Sequence, residues 1–147
     1  MYNRILVATD GSNLSKRAVS SAIALAALTQ AELLALKVVA RYPVSYFEGN
    51  IPLPDKEIAQ VEKQWLDAGQ TVVDAVLKSA ERKGVKTQAL TVKSDVVSDA
   101  IIATAKKYKC DLIVMASHGR RGIKRILLGS ETQQVLTHSQ IPVLVLR

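Results

Sequence analysis

Arg4-Ile5-Leu6-Val7-Ala8 is a short apolar run that stops against Thr9-Asp10-Gly11-Ser12. Five residues bounded by turn formers read as a buried strand. From Ser12 or Asn13 the period changes. Leu14, Ala18, Ala22, Leu25 and Leu28 recur at three- and four-residue spacing, which predicts a helix with one apolar face. Leu33–Val39 is again an apolar run, as in a strand covered on both faces. Strand, helix and strand in that order need a crossover connection, and a crossover makes the two strands parallel.

The same alternation continues along the chain. Arg41–Pro54 holds Pro43, Pro52, Pro54, Gly49 and three aromatics, and reads as a long surface loop. A long helix is predicted over about Asp55–Lys83, with Ile58, Val61, Trp65, Ala68, Val72 and Val76 on one face. Gly84 suits the position just past its end. Lys86–Lys93 alternates weakly, as an edge strand does. Val97, Ile101, Ala105 and Tyr108 mark a further helix, and Leu112–Ala116 a strongly apolar strand. Ser117–Gly129 is a glycine-containing loop. Ser130-x-x-Gln133 has the pattern of a capping box opening a helix to about His138. Pro142–Leu146 reads as a last strand, with proline at its start where a missing N–H matters least. The expected fold is α/β: a single open, mostly parallel five-stranded sheet with helices on both faces, in one domain over residues 1–147.

Composition narrows the function. The 147 residues are 48% hydrophobic and 22% charged, which excludes a disordered or collagen-like chain. The net charge of +7 is local. Residues 1–100 carry 12 basic and 11 acidic side chains, whereas residues 101–147 carry 8 basic ones against Asp111 and Glu131. Such a cluster asks for a local anionic partner rather than a diffuse polyanion. Aromatics at 4% are too few for base-stacking platforms, so no specific nucleic acid is expected. Cys110 stands alone, which excludes an intrachain disulfide and fits a cytoplasmic setting. The strand-like run starting at Arg4 lies directly after Met1-Tyr2-Asn3, so no signal peptide is expected. The apolar stretch Ala22–Ala40 contains Glu32 and Lys37, so no membrane span is expected.

In an open α/β sheet ligands bind beyond the carboxyl ends of the strands. Three loops meet that description: the one at Thr9–Ser12, the one at Val38–Pro43, and Ser117–Gly129. The last is the richest. Gly119, Gly122 and Gly129 let the main chain approach a ligand closely. Gly129-Ser130 then opens a helix whose free N–H groups attract an anion. Arg120, Arg121, Lys124 and Arg125 add four positive charges with no acid among them. Alternatively the glycines only turn the chain, Ser130 only caps the helix, and the cations face water. The loop is not a Walker A loop, because no lysine stands between the glycine and serine of Leu128-Gly129-Ser130.

Val7-Ala8-Thr9-Asp10-Gly11-Ser12, Leu36-Lys37-Val38, Met115-Ala116-Ser117-His118-Gly119, Leu127-Leu128-Gly129-Ser130 and Pro142-Val143-Leu144-Val145 together resemble the universal stress protein family over essentially the whole chain. The resemblance implies a Rossmann-like sheet of the adenine nucleotide alpha hydrolase type, with strand order 3-2-1-4-5. Its ATP-binding branch carries G-x2-G-x9-G-[S/T]; here the positions are Ala116, Gly119, Gly129 and Ser130. The resemblance implies that Gly119, Gly129 and Ser130 contact the triphosphate of ATP, with Arg120, Arg121, Gly122, Glu131 and Thr132 beside them. It implies that the Val38 main chain meets adenine, that Thr9, Met115 and Ala116 line the nucleotide, and that Asp10 lies near the ribose, phosphates or a bound Mg or Mn ion. It further implies a stress-response role and a homodimer through Val143–Leu146. With Asp10 the only acidic candidate in the motif and no placed general base, any ATP hydrolysis is expected to be slow at most. Ala116 departs from the pattern: a β-carbon stands where the branch has glycine, and a positive φ there would be costly.

Other residues admit rival roles. Ser117-His118-Gly119 is half of G-x-S-x-G, but Met115 replaces the first glycine, which argues against a serine hydrolase. His118 and His138 have no evident third ligand for a metal and read as surface or ligand-proximal imidazoles. Asp10 serves equally as a helix cap or as a metal ligand. Cys110 reads as a half-buried small hydrophobe, and Trp65 as core or dimer-adjacent packing on the apolar stripe of its helix. Two further functions stay open: a weak ATPase or autophosphorylating enzyme, and a nucleotide-free dimeric interaction protein.

Overall fold

The computed structural model describes residues 1–43, 53–119 and 128–147. Among them the order is β1 (Arg4–Ala8), α1 (Asn13–Thr29), β2 (Glu32–Val39), α2 (Asp55–Glu81), β3 (Thr87–Lys93), α3 (Val97–Lys107), β4 (Leu112–Ala116), α4 (Ser130–His138) and β5 (Val143–Leu146). The strands form one sheet in the order β3-β2-β1-β4-β5, and every pairing is parallel. Strand order reverses at β1, with β2 on one side and β4 on the other.

Alternation of side chains sorts the core into two layers. Ile5, Val7, Leu33, Ala35 and Val114 point toward α1 and α2, where Ala18, Ala22, Val73 and Val76 meet them. Leu6, Leu34, Leu36, Ile113 and Met115 point the other way, onto Ile101, Ile102 and Ala105 of α3 and Val135 of α4. Complete burial of Ile5, Leu6 and Val7 explains why β1 is apolar at consecutive positions.

The helices differ in detail from the periodicity. In α2 the buried residues are Gly69, Val73, Val76 and Ala80, while Ala68 and Trp65 are exposed. The packing face is offset because Gly69 seats directly on the sheet. A β-carbon there would lie 2.9 Å from Val39 Cγ2 and 3.1 Å from Thr91 Cγ2. Trp65 instead stacks on Tyr42, with ring centroids 6.0 Å apart. The Tyr42 N–H donates to Glu62 Oε2, and Lys93 Nζ lies 3.5 Å from Glu62 Oε1, so the chain leaving β2 is tied to α2 and β3. Leu28 is 84% exposed at the end of α1, beyond the reach of the sheet.

At the amino edge of the sheet, Arg4 and Lys86 both pair with Glu32, at 2.6 and 2.7 Å. These two cations hold the Glu32 carboxyl below its ordinary range, with the Lys86 hydrogen bond the larger cause and Arg4 next. Asp111 accepts the N–H groups of Asn3 and Arg4 and so fixes β1 beside β4.

Candidate functional site

Beyond the carboxyl ends of β1, β2 and β4 lies a cavity of about 420 Å³, within the range of small-molecule sites. Its walls differ in character. Leu36, Val38, Val97, Ile101 and Met115 make an apolar side, floored by the sheet and by α3. Asp10, Gly119, Gly129, Ser130 and Glu131 make a polar side around the start of α4. Thr9, Ala116 and Thr132 complete the lining between them. Arg120, Arg121 and Gly122, with Lys124 and Arg125, lie outside the described residues.

The first wall is shaped by the turn after β1. Gly11 has φ of +82°, a left-handed value that favours glycine. Ser12, rather than Asp10, caps α1: its hydroxyl accepts the Ser15 N–H at 3.2 Å. Asp10 stands two residues earlier, where Oδ1 accepts the Ser12 N–H at 2.9 Å and braces the turn. The Thr9 hydroxyl is engaged internally, 3.0 Å from Ser15 Oγ and accepting the Gly11 N–H. Thr9 therefore lines the cavity while its hydroxyl holds the turn.

The opposite wall is a neck closed by β4 and α4. The Gly129 N–H donates to the Ser117 carbonyl at 2.7 Å. The Thr132 hydroxyl donates to the carbonyls of Ala116 at 3.0 Å and Ser117 at 3.3 Å. Both groups hold the neck and are thereby committed. The N-cap of α4 is Gly129, so Ser130 is the first helical residue and not the cap that the Ser130-x-x-Gln133 pattern suggests. Its hydroxyl reaches Glu131 Oε2 at 3.3 Å. The N–H groups of Ser130, Glu131 and Thr132 are in the first turn, where no intrahelical acceptor exists. They aim the positive end of the α4 dipole into the cavity's polar side.

Neither motif glycine has a positive φ; both are needed for space. A β-carbon on Gly119 would stand 2.8 Å from Asp10 Oδ2, and one on Gly129 3.1 Å from the Ser117 carbonyl. Ala116 faces no such conflict. It lies within β4, and among the described non-glycine residues only Gln30 and Lys109 have positive φ. Its side chain joins the buried cluster on the α1 side. The strain that alanine would suffer in a left-handed conformation does not arise here.

Ser15, Leu36, Lys37, Val97 and Ile101 line the cavity although no sequence signal marks them as site residues, and His118 lines it too, consistent with a ligand-proximal imidazole. Val97 and Ile101 carry the periodicity of a packing face, which does not distinguish a core contact from a cavity wall. Lys37 Nζ donates to the Val38 carbonyl at 3.2 Å. His118 Nδ1 is 2.8 Å from Ser117 Oγ. His138, by contrast, is exposed on the last turn of α4 and absent from the cavity lining. Among the described residues no three His, Cys, Asp or Glu side chains gather as a metal site. Asp10 is the carboxylate beside Gly119, and Glu131 lines the cavity near Gly129.

Fold and crevice together define a Rossmann-like α/β protein with its cavity at the point of strand-order reversal. A family model described as the universal stress protein family matches residues 1–147. The chain belongs to that family. It is 37% identical over 148 residues to universal stress protein MJ0531 of Methanocaldococcus jannaschii, covering all of this chain and 83% of that protein. The solved structure of MJ0577, from the same organism, superposes with a TM-score of 0.84 at 28% identity, covering 99% of this chain and 96% of that one. A universal stress protein solved in complex with cAMP superposes with a TM-score of 0.71 at 26% identity, covering 99% and 97%. No helix among the described residues is long and apolar enough to cross a membrane.

Proposed function

We propose that this chain is a nucleotide-binding module, one domain over residues 1–147, that takes ATP in the β1–β4 crevice and acts in stress response through nucleotide-dependent shape change or partner signalling. One observation carries the reading: a single cavity joins an apolar wall to a glycine-lined helix N-terminus. Adenine matches the first in being flat and apolar on its faces. Phosphates match the second, which offers N–H groups and a positive dipole end. Close approach at Gly119 and Gly129 fits the same ligand, since a side chain at either place would fill the cradle.

Val38 would meet the base through its main chain, and Ser130 and Glu131 the phosphates through theirs. Thr9 and Thr132 hold the walls rather than the ligand. Asp10 would hold a Mg or Mn ion together with the phosphates, the ion supplying charge neutralisation. Arg120, Arg121 and Gly122 complete the anion site in this reading. The related structure bound to cAMP supports the adenine part of the assignment. We further assign homodimerisation to β5, whose outer edge is unpaired in the sheet order. Isothermal titration with ATP and magnesium is expected to give saturable binding. Gly129→Val is expected to abolish it. No heat at millimolar ATP, with no nucleotide in the mass spectrum of gently purified protein, would remove the proposal.

A further inference from the structure

The polar side of the cavity suits an anion, yet two of the residues that line it, Asp10 and Glu131, carry carboxylates. Lys37, the lining cation among the described residues, belongs to β2 and donates to the Val38 carbonyl. Asp10 braces the turn after β1 by accepting the Ser12 N–H. Glu131 has no such duty. It is exposed in the first turn of α4, and its Oε2 lies 3.3 Å from the Ser130 hydroxyl.

That hydroxyl is the point of conflict. A serine has one O–H to give. In the free protein it goes to Glu131. A phosphate seated at the start of α4 would claim the same proton. At 3.3 Å the bond is longer than the usual O–H···O span, so the carboxylate is loosely held and gives the donor up readily. Being on the next residue, it still stays close to the phosphate after the exchange. The Glu131 main-chain N–H therefore attracts an anion that the Glu131 side chain repels. The attraction is open to any phosphate oxygen, whereas the repulsion grows with the charge the ligand carries.

We propose that Glu131 is the charge-selecting residue of the cavity: its carboxylate competes with phosphate for the Ser130 hydroxyl and weakens a nucleotide in proportion to its unneutralised charge. The inference rests on the nucleotide reading and adds to it the residue that grades nucleotides by charge. A second role for the same side chain is support of α4, since an acid in the first turn suits the helix dipole. The two roles differ in what they touch. Support of the helix acts on stability and is blind to the ligand, whereas charge selection separates one ligand from another.

The test is titration of adenosine, AMP, ATP with magnesium and ATP in EDTA into the wild type and Glu131→Gln. The amide keeps an acceptor for Ser130 at a similar reach, so the change removes charge and little else. Glu131→Gln is expected to tighten ATP in EDTA by about fivefold, the scale of one exposed charge contact. AMP, and ATP whose charge magnesium partly takes up, should gain about twofold, and adenosine nothing. Raised salt should shrink the gain for ATP in EDTA, because the contact is exposed. An equal change for all four ligands overturns the inference. So does unchanged or weakened binding of ATP in EDTA, whether or not the melting temperature shifts. If the wild type binds none of the four, the nucleotide reading fails and this inference falls with it. If the wild type binds them and Glu131→Gln alters none, this inference alone fails.

Discussion

The Gly119 main chain passes so close to Asp10 that a β-carbon on Gly119 would lie 2.8 Å from the Asp10 carboxylate oxygen Oδ2. Two residues 109 positions apart thereby meet across the crevice, one from the turn after β1 and one from the chain after β4. Gly119→Ala forces the carboxylate aside while leaving its bond from Ser12 strained rather than lost. Nucleotide affinity is expected to fall about tenfold, the scale of one misplaced polar contact, with little change in melting temperature. In an Asp10→Ala background the same Gly119→Ala change should cost almost nothing more. Simple additivity in that double-mutant cycle would contradict the account.

Gly69 supplies a prediction about stability alone. Alanine is the better helix former by about 1 kcal/mol, so Gly69→Ala ought to stabilise α2 if the position were exposed. It is buried, with Val39 Cγ2 2.9 Å and Lys37 Cγ 3.2 Å from the new β-carbon. Overpacking costs about 1–3 kcal/mol and outweighs the gain. A net loss of about 1 kcal/mol is expected in urea unfolding, from the balance of these two effects. An increase in stability would mean that α2 does not rest on β2 and β3 at this point.

Burial pushes the Cys110 thiol up to about 11, Arg4 opposing the shift and Asp111 adding to it. The thiolate is the reactive form, so the native protein should resist a maleimide at pH 7.5 and react at once when unfolded in guanidinium. Stoichiometric labelling of the folded protein within minutes would show that Cys110 is not enclosed as described.

Glu32 makes acid stability partly a matter of one carboxylate. Its folded-state value is depressed by Lys86 and Arg4. A depressed carboxylate contributes stability above its unfolded value, and the contribution is lost as pH falls through the folded one. Glu32→Gln is therefore expected to melt below the wild type at neutral pH, and the two should converge in the acid range. Added salt should narrow the neutral gap, because the pair with Lys86 is exposed. A gap that widens in acid would reverse the sign and remove the explanation.

Periodicity and turn chemistry were enough for the elements themselves. Arg4–Ala8, Leu33–Val39 and Leu112–Ala116 are apolar because both faces of a central parallel strand are covered, and that requirement is local in sequence. The crevice position followed from the alternation of strand and helix, and the glycines at 119 and 129 mark where the main chain comes close. Which glycine property was in use was not legible. Gly11 and Gly84 answer to a left-handed φ, whereas Gly119 and Gly129 answer to neighbours brought in from elsewhere. Trp65 and Ala68 were misplaced for a related reason: the face of α2 is chosen by what the sheet leaves room for, and Gly69 fits where Ala68 would not.

The chain's own order of residues determined the α/β class and the strands and helices, and it singled out Gly119 and Gly129-Ser130, where we propose an anion binds. These rest on contacts within a few residues, where spacing alone sets geometry. Only the tertiary structure decided that Leu36, Val97, Ile101 and Met115 form one apolar wall, that the hydroxyls of Thr9 and Thr132 are spent on holding the cavity walls, and that His118 Nδ1 lies against Ser117 Oγ. Each of these depends on which distant group satisfies or abandons a buried atom. That is fixed by the packing of the sheet against its helices and by nothing nearer in the chain.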